Sequence, residues 1–211
     1  MIKLLVVDDD NIVRLGVSSI LDQYPDFKVI DNRASGEETI EYLNQPNEID
    51  VVILDLNMPG IGGYETTRRL HIKYPNLPIV ILTVTKSESL PQYLLKAGAT
   101  AYMTKGCEPD ELKLAIIKAY NKQNHISQEL ALAMALSLQS FDKSPFEKLS
   151  EREMQIIVMI LHGMKSVDIA ETIHVSPKTV CTHRTRAFEK LNIESDMDLF
   201  RLALQYNLIE M

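Results

Sequence analysis

Five short apolar runs in residues 1–122 constrain the fold more strongly than any other feature of this sequence. Most of them lack polar alternation, which is typical of strands that are covered on both faces. The runs lie at residues 3–7, 27–30, 51–54, 79–82 and 101–103, with segments of helical period between them. The order of strand and helix predicts an α/β fold: a flavodoxin-like, doubly wound, five-stranded parallel sheet over residues 1–122.

The alternation of strand and helix ends after residue 122. Residues 123–145 are predicted to be a linker with one short helix, which is followed by turn-forming residues and a proline. From residue 146 to residue 211 the apolar positions repeat only at helical spacing, which predicts a small all-α domain. Ser150 and Ser166 are predicted helix N-caps, and Ser176 precedes a proline suited to the first helical position. Two helices joined across residues 174–176 have the dimensions of a helix-turn-helix.

The charge of the whole chain argues against a nucleic-acid-binding protein. There are 22 Lys and Arg against 29 Asp and Glu, a formal net charge of −7. Between residues 174 and 190, however, the basic residues Lys178, Arg184, Arg186 and Lys190 face only Glu189. We therefore expect positive charge to be concentrated on one helix, and non-specific DNA binding to be weak.

Cysteine usage and the absence of long apolar runs indicate the compartment. Cys107 and Cys181 lie far apart without a CxxC pattern, so neither a disulfide framework nor a zinc site is predicted. No leader-like N-terminus is apparent, and no apolar run approaches the roughly 20 residues needed to cross a bilayer. These features predict a cytoplasmic protein with reduced thiols and no membrane contact.

Polar residues stand where four of the predicted strands end. They are Asp8, Asp9 and Asp10 after the first strand, Asp55 after the third, Thr83 at the fourth and Lys105 after the fifth. The carboxyl ends of parallel strands share one edge of the sheet, so these side chains are expected to cluster. Clustered carboxylates require a cation, most simply Mg²⁺, and the lysine and threonine add donors for a phosphoryl group. Each residue alone would equally fit a helix cap, so the prediction depends on their joint occurrence.

Four separated motifs resemble the receiver domain of two-component response regulators: residues 6–9, 54–60, 83 and 98–105. The resemblance implies that Asp55 accepts a phosphoryl group from a cognate sensor histidine kinase. It also implies a Mg²⁺ site formed by Asp9 and Asp55 directly, by Asp8 through water, and by the backbone carbonyl of Asn57. Thr83 and Lys105 would bind the phosphoryl oxygens, and Tyr102 would turn inward when Thr83 moves. Gly106 replaces the proline that commonly follows this lysine, which leaves the isomer of that peptide bond open.

The C-terminal segments 149–153, 163–170, 175–183 and 190–191 resemble the LuxR-type helix-turn-helix. A receiver followed by this module is the arrangement of the NarL/FixJ class of transcription regulators, and residues 102–106, 144–146 and 188–191 resemble its GacA/UvrY-type members. The resemblance implies a homodimer that binds double-stranded promoter DNA. It also implies that small regulatory RNA genes are among those whose transcription is regulated. The implied DNA-binding residues are Ser176, Lys178, Thr179, Cys181, Thr182, Arg184, Thr185, Arg186 and Lys190.

Two other interpretations remain open beside a phosphorylation-controlled, non-enzymatic regulator. The acidic net charge fits an adaptor that acts through protein contacts without phosphorylation. Asp8 and Asp10 form a DxD pattern, the start of a phosphohydrolase signature in which Asp8 would be the nucleophile. Ile12 stands where that motif has Thr or Val, and no cap domain is apparent.

Overall fold

The structure is a computed structural model that describes residues 1–85, 87, 90–127, 131 and 144–209. These residues form two compact units. The first contains Met1–Val84 and Leu94–Gln128, and the second contains Thr85–Tyr93 and the described part of Glu129–Met211. The predicted linker helix lies outside the described residues. Within the described part of the chain, no helix is long and apolar enough to span a membrane.

The first unit is built on a parallel sheet in the order β2-β1-β3-β4-β5-β6, which confirms the predicted flavodoxin-like fold. The strands are β1 Ile2–Val7, β2 Phe27–Arg33, β3 Val51–Leu54, β4 Ile79–Thr83, β5 Ala101–Thr104 and β6 His125–Ile126. The sixth strand was not predicted from the sequence. It contains only two residues and pairs with β5 through Ala101 and Tyr102. Two residues are too few to carry a periodic signal.

Burial along the strands follows their position in the sheet. Every residue of β3 and β4 is buried, as the absence of polar alternation predicts for strands covered on both faces. In β2, the edge strand, Phe27 is the one buried residue, and the other positions, apolar Val29 and Ile30 included, are half-buried or exposed. Among the described residues, five helices alternate with these strands along the chain: α1 Asn11–Leu21, α2 Gly36–Leu43, α3 Gly62–Lys73, α4 Leu90–Ala97 and α5 Pro109–Tyr120.

Of the four helices described in the second unit, the first three begin at or next to the predicted caps. The four are α6 Glu151–Leu161, α7 Ser166–Thr172, α8 Pro177–Leu191 and α9 Asp196–Gln205, after a short 3-10 helix at Pro145–Lys148. Ser150 forms a capping box with Glu153, and the Ser176 hydroxyl accepts a hydrogen bond from the Thr179 N–H at 3.1 Å. The predicted cap at Ser166 is wrong by one residue. Lys165 holds the cap position in extended backbone, so Ser166 is the first helical residue.

Phe146 anchors the core of this second unit. Its side chain is fully buried, and its ring meets the Tyr206 ring edge-on with centroids 6.3 Å apart. We expect Phe146→Ala to lower the free energy of unfolding of the unit by about 3–5 kcal/mol, through lost burial and the cavity left behind. Denaturant unfolding followed by circular dichroism measures this loss. Met197→Ala, at a position that is 64% exposed, is the control. An equal effect of the two variants would contradict the assignment of Phe146 to the core.

Candidate functional site

Three of the predicted carboxylates meet at the carboxyl edge of the sheet. Asp8 and Asp9 follow β1 and Asp55 follows β3, and one oxygen from each lies within 4.8 Å of the others. The two strands are neighbours, and the Asp55 N–H donates to the Val7 carbonyl at 2.9 Å. Asp8 and Asp55 are each only 3% exposed, whereas Asp9 is open to solvent. The site therefore combines two buried carboxylates with one that solvent can reach.

Asp10 has a different role from its neighbours. Its Oδ1 accepts hydrogen bonds from the Ile12 and Val13 N–H groups at 2.8 and 3.2 Å, so it is the N-cap of α1. Its side chain is exposed and is not a member of the carboxylate cluster. For this aspartate, the helix-cap alternative was correct.

Lys105 supplies the positive charge that the buried carboxylates require. Its Nζ lies 2.7 Å from Asp8 Oδ2 and 3.0 Å from Asp55 Oδ2. The residue follows β5 directly, and its backbone N–H donates to the Thr83 carbonyl at 2.8 Å. The peptide bond between Lys105 and Gly106 is trans. A trans bond at this position therefore does not prevent the ammonium from reaching both carboxylates.

Burial and the neighbouring opposite charge have opposing effects on the pKa values of Asp55 and Lys105. Burial raises the pKa of Asp55, and the adjacent Asp8 charge adds to this, while Lys105 opposes both without reversing them. Burial alone would lower the pKa of Lys105, but its hydrogen bonds and charge pairing with Asp8 and Asp55 outweigh burial and raise it. Lys105 thus stays charged, and Asp55 ionises less readily than an ordinary aspartate.

Thr83 and Tyr102 lie on the two strands next to the carboxylates. Thr83 ends β4, and Tyr102 pairs with Ile81 of the same strand. Both side chains are fully buried, so the Tyr102 ring already lies in the interior of the first unit.

The loop after Asp55 approaches the site closely. The Leu56 N–H donates to Asp55 Oδ1 at 2.7 Å, and the Gly63 N–H donates to the Leu56 carbonyl at 3.0 Å. A Cβ at Gly63 would lie 2.2 Å from the Asp55 carbonyl oxygen, so only glycine lets α3 begin here. The same loop carries Asn57, whose carbonyl is a predicted metal ligand.

One contact near the site has no counterpart in the sequence analysis. The Arg14 guanidinium on α1 donates to the backbone carbonyl of Asp8 and, at 2.9 Å, to Asn11 Oδ1. Arg14 thereby supports the backbone that presents the first carboxylate. Its only sequence signal is a position one turn into the helix after Asp10, which does not specify the backbone carbonyl of Asp8, six positions earlier, as its partner.

Helix α8 presents a polar face and an apolar face. Val180, Phe188 and Leu191 are buried, which confirms their prediction as core residues. The predicted DNA-binding residues with exposed side chains are Ser176, Lys178, Cys181, Thr182, Thr185, Arg186 and Lys190. Both cysteines of the chain are free thiols.

Two of the basic groups on α8 already have acidic partners. Arg184 Nη2 lies 2.8 Å from Asp196 Oδ1, and its guanidinium stacks over the Phe188 ring at 4.5 Å. Lys190 Nζ lies 2.6 Å from Glu153 Oε2, within the capping box of α6. Lys178 and Arg186 form no ion pair with any described residue. The unpaired positive charge on this helix is therefore smaller than the sequence count indicates.

Sequence comparisons assign both units to known families. Residues 4–117 match the family "Response regulator receiver domain", and residues 147–203 match "Bacterial regulatory proteins, luxR family". The chain is 41% identical to response regulator UvrY of Escherichia coli (strain K12) over 210 residues, which cover 99% of this chain and 96% of the relative. It is also 41% identical to response regulator GacA of Pseudomonas viridiflava over 214 residues, covering 100% and 99% of the two chains.

Solved structures agree with this fold. A structure of the Salmonella typhimurium response regulator RcsB has a TM-score of 0.78 at 21% identity, and covers 98% of both chains. The response regulator ChrA of a heme-sensing two-component system has a TM-score of 0.54 at 28% identity, covering 99% of this chain and 98% of that one. The chain therefore belongs to the response regulators, in the group of transcription regulators that join a receiver domain to a luxR-family DNA-binding domain.

Proposed function

We propose that Asp55 is the phosphoacceptor of this response regulator and that a sensor histidine kinase is the donor. The observation that supports this most directly is the buried Asp55 carboxylate with the Lys105 ammonium 3.0 Å away. Asp55 supplies the oxygen that attacks phosphorus as the bond to the donor histidine breaks. Lys105 supplies fixed positive charge for the phosphoryl oxygens, so the protein contributes positioning and electrostatic stabilisation.

The carboxylate cluster fits a divalent cation. Three carboxylate oxygens within 4.8 Å of one another form the hard oxygen donor set that Mg²⁺ prefers. We assign Asp8, Asp9, Asp55 and the backbone carbonyl of Asn57 as the metal-binding residues. Bound Mg²⁺ supplies charge neutralisation of the phosphoryl oxygens. Because Lys105 pairs with Asp8 and Asp55, the metal and the lysine compete for the same carboxylates.

The raised pKa of Asp55 leads to a pH dependence of phosphorylation. Only ionised Asp55 is a nucleophile, so phosphorylation should slow on acidification, and in the metal-free chain Asp55 should ionise with a midpoint above the ordinary aspartate pKa of about 3.9. An NMR titration of the Asp55 carboxyl group without Mg²⁺, across the acidic and neutral range, gives this midpoint. A midpoint at or below the ordinary value would contradict the effect of burial on Asp55.

For DNA binding, we propose that α8 enters the major groove and that a homodimer binds a two-fold site. Cys181, Thr182 and Thr185 are exposed on the polar face, and their short side chains can contact base edges when the helix lies in the groove. Ser176 and Thr179 lie at the helix N-terminus, where backbone N–H groups can meet phosphates. Arg184 and Lys190 would contact DNA only on leaving Asp196 and Glu153. By the resemblance, small regulatory RNA genes are among the targets.

Lys178 and Arg186 are expected to provide most of the phosphate contact. Substituting either by alanine should weaken binding to all DNA sequences similarly and reduce the salt slope of log K by about 1. Fluorescence anisotropy over a salt series, with a DNA fragment obtained by in vitro selection, measures this. Arg201→Ala is the control, because its side chain is 77% exposed on α9 and lies outside α8. An unchanged salt slope in both α8 variants would contradict the proposed contacts.

The role of Asp10 as a helix cap disfavours the phosphohydrolase alternative. That signature pairs Asp8, as the nucleophile, with Asp10 two residues later. Asp10 instead accepts hydrogen bonds from the first turn of α1. Locating the phosphorylated residue by mass spectrometry separates the two proposals, since the hydrolase requires phosphate on Asp8.

A further inference from the structure

Glu37, in the first turn of α2, contacts the loop that follows Asp55. Its Oε1 accepts a hydrogen bond from the backbone N–H of Ile61, with an N to O distance of 3.0 Å. The loop contains residues 56–61 and carries Asn57, whose carbonyl is a proposed Mg²⁺ ligand. The bond therefore links a helix that supplies no ligand to the loop that supplies one.

The backbone of this loop passes close to the Glu37 carboxylate at Gly60. Gly60 has a φ of +78°, a left-handed conformation that favours glycine. A Cβ at Gly60 would lie 2.3 Å from Glu37 Oε1, so the carboxylate occupies the space that a side chain would need. The Glu37 carboxylate therefore lies directly against the turn at Gly60.

Two further hydrogen bonds hold this loop at Leu56. The Leu56 N–H donates to Asp55 Oδ1, and the Gly63 N–H donates to the Leu56 carbonyl. Glu37 adds a bond at Ile61, the residue directly before α3. Loss of this bond would leave the segment from Asn57 to Gly60 freer to move its carbonyls relative to Asp55.

We propose that Glu37 is a positioning residue for the phosphoryl site. By holding the Ile61 N–H it fixes the loop that presents the Asn57 carbonyl, and so it sets the affinity of the receiver for Mg²⁺. This inference rests on the proposed metal site. The role requires a hydrogen-bond acceptor at this position and not a charge, so Glu37→Gln should retain it and Glu37→Ala should lose it.

Two measurements on the full-length chain test the proposal. Calorimetric titration with Mg²⁺ should show roughly tenfold weaker affinity for Glu37→Ala, a typical cost of removing a residue that orients a ligand. Hydrogen exchange of the Ile61 amide without Mg²⁺ should be faster in that variant. Glu37→Gln should resemble the wild type in both. Glu41→Ala, an exposed glutamate on the same helix, should change neither. At saturating Mg²⁺, the phosphorylation rate of Glu37→Ala should approach that of the wild type, because the proposed effect is on Mg²⁺ affinity.

A second variant probes the same contact from the loop. Gly60→Ala places a Cβ against the Glu37 carboxylate and should also weaken Mg²⁺ binding. Adding Glu37→Ala to it should then cause less further loss than Glu37→Ala causes alone, because the two residues act through one contact.

Several results would overturn the inference. One is unchanged Mg²⁺ affinity in Glu37→Ala, with or without faster Ile61 exchange. Another is a Glu37→Gln variant that binds Mg²⁺ as weakly as Glu37→Ala does, since the charge of Glu37 would then be the property that matters. A wild-type chain that binds no Mg²⁺ would instead refute the proposed metal site itself, so the two failures are distinguishable.

Discussion

Asp55→Asn is expected to abolish phosphorylation of the chain and, with it, the phosphorylation-dependent gain in DNA affinity. An amide oxygen is too weak a nucleophile to attack phosphorus, and no other described carboxylate is both buried and adjacent to Asp8 and Lys105. The same substitution should raise thermal stability. Because burial raises the pKa of Asp55, the folded state binds its proton more tightly than the unfolded state does. Stability therefore falls as pH rises through the pKa of Asp55 in the unfolded state and then through its pKa in the folded state. Asparagine does not ionise, so Asp55→Asn removes this loss of stability.

The matched control for this substitution is Asp10→Asn. Asparagine is as good an N-cap as aspartate, and Asp10 lies outside the carboxylate cluster, so this variant should be phosphorylated normally. Phosphorylation by acetyl phosphate, thermal unfolding at neutral pH and DNA affinity with and without the phosphodonor give the three readouts. If the Asp55→Asn chain is still phosphorylated by acetyl phosphate, the assignment of Asp55 as the phosphoacceptor is refuted. Lower stability would refute the argument from burial.

Lys105→Met should have opposite effects on phosphorylation and on metal binding. Removing the ammonium takes away a fixed charge that meets the phosphoryl oxygens, a loss of roughly 100- to 1,000-fold in rate for comparable preorganised donors. It also leaves Asp8 and Asp55 without their cation, so Mg²⁺ should bind more tightly than to the wild type. Since Lys105 lowers the pKa of Asp55, Asp55 of the metal-free variant should ionise only at still higher pH.

Phosphorylation rates and Mg²⁺ titration calorimetry measure the two effects of Lys105→Met. Lys113→Met is the control, because that lysine pairs with the largely exposed Asp26 at 3.2 Å, away from the carboxylate cluster. Weaker Mg²⁺ binding in Lys105→Met would show that the lysine supports the metal site and does not compete with it. An unchanged rate would remove Lys105 from the phosphoryl site.

Much of the fold was predictable because its signals are local. The buried strands are recognisable by unbroken apolar runs, and helices α6 and α8 begin at Ser and Pro positions that act over three or four residues. The convergence of Asp8, Asp55 and Lys105 was predictable as well, because parallel strands bring their carboxyl ends to one edge whatever their separation in sequence.

The predictions that failed or were missing concern signals that are too short or not local. The two residues of β6 form too short a strand to show a period. The cap at Ser166 was misplaced by one residue because neighbouring polar residues offer similar signals. Net charge over residues 174–190 overstated the free positive charge, because the partners of Arg184 and Lys190 lie on other helices.

The sequence by itself determined the parallel sheet, the helical second unit and the set of carboxylates at the sheet edge, because each follows from local periodicity and strand order. Only the tertiary structure decided how those side chains are used. It separated Asp10, a helix cap, from Asp8 and Asp9 in the cluster, and it joined Glu37 to Ile61 across 24 positions of sequence. The physical reason is that a hydrogen bond or ion pair depends on distances of a few ångströms between residues that only folding brings together.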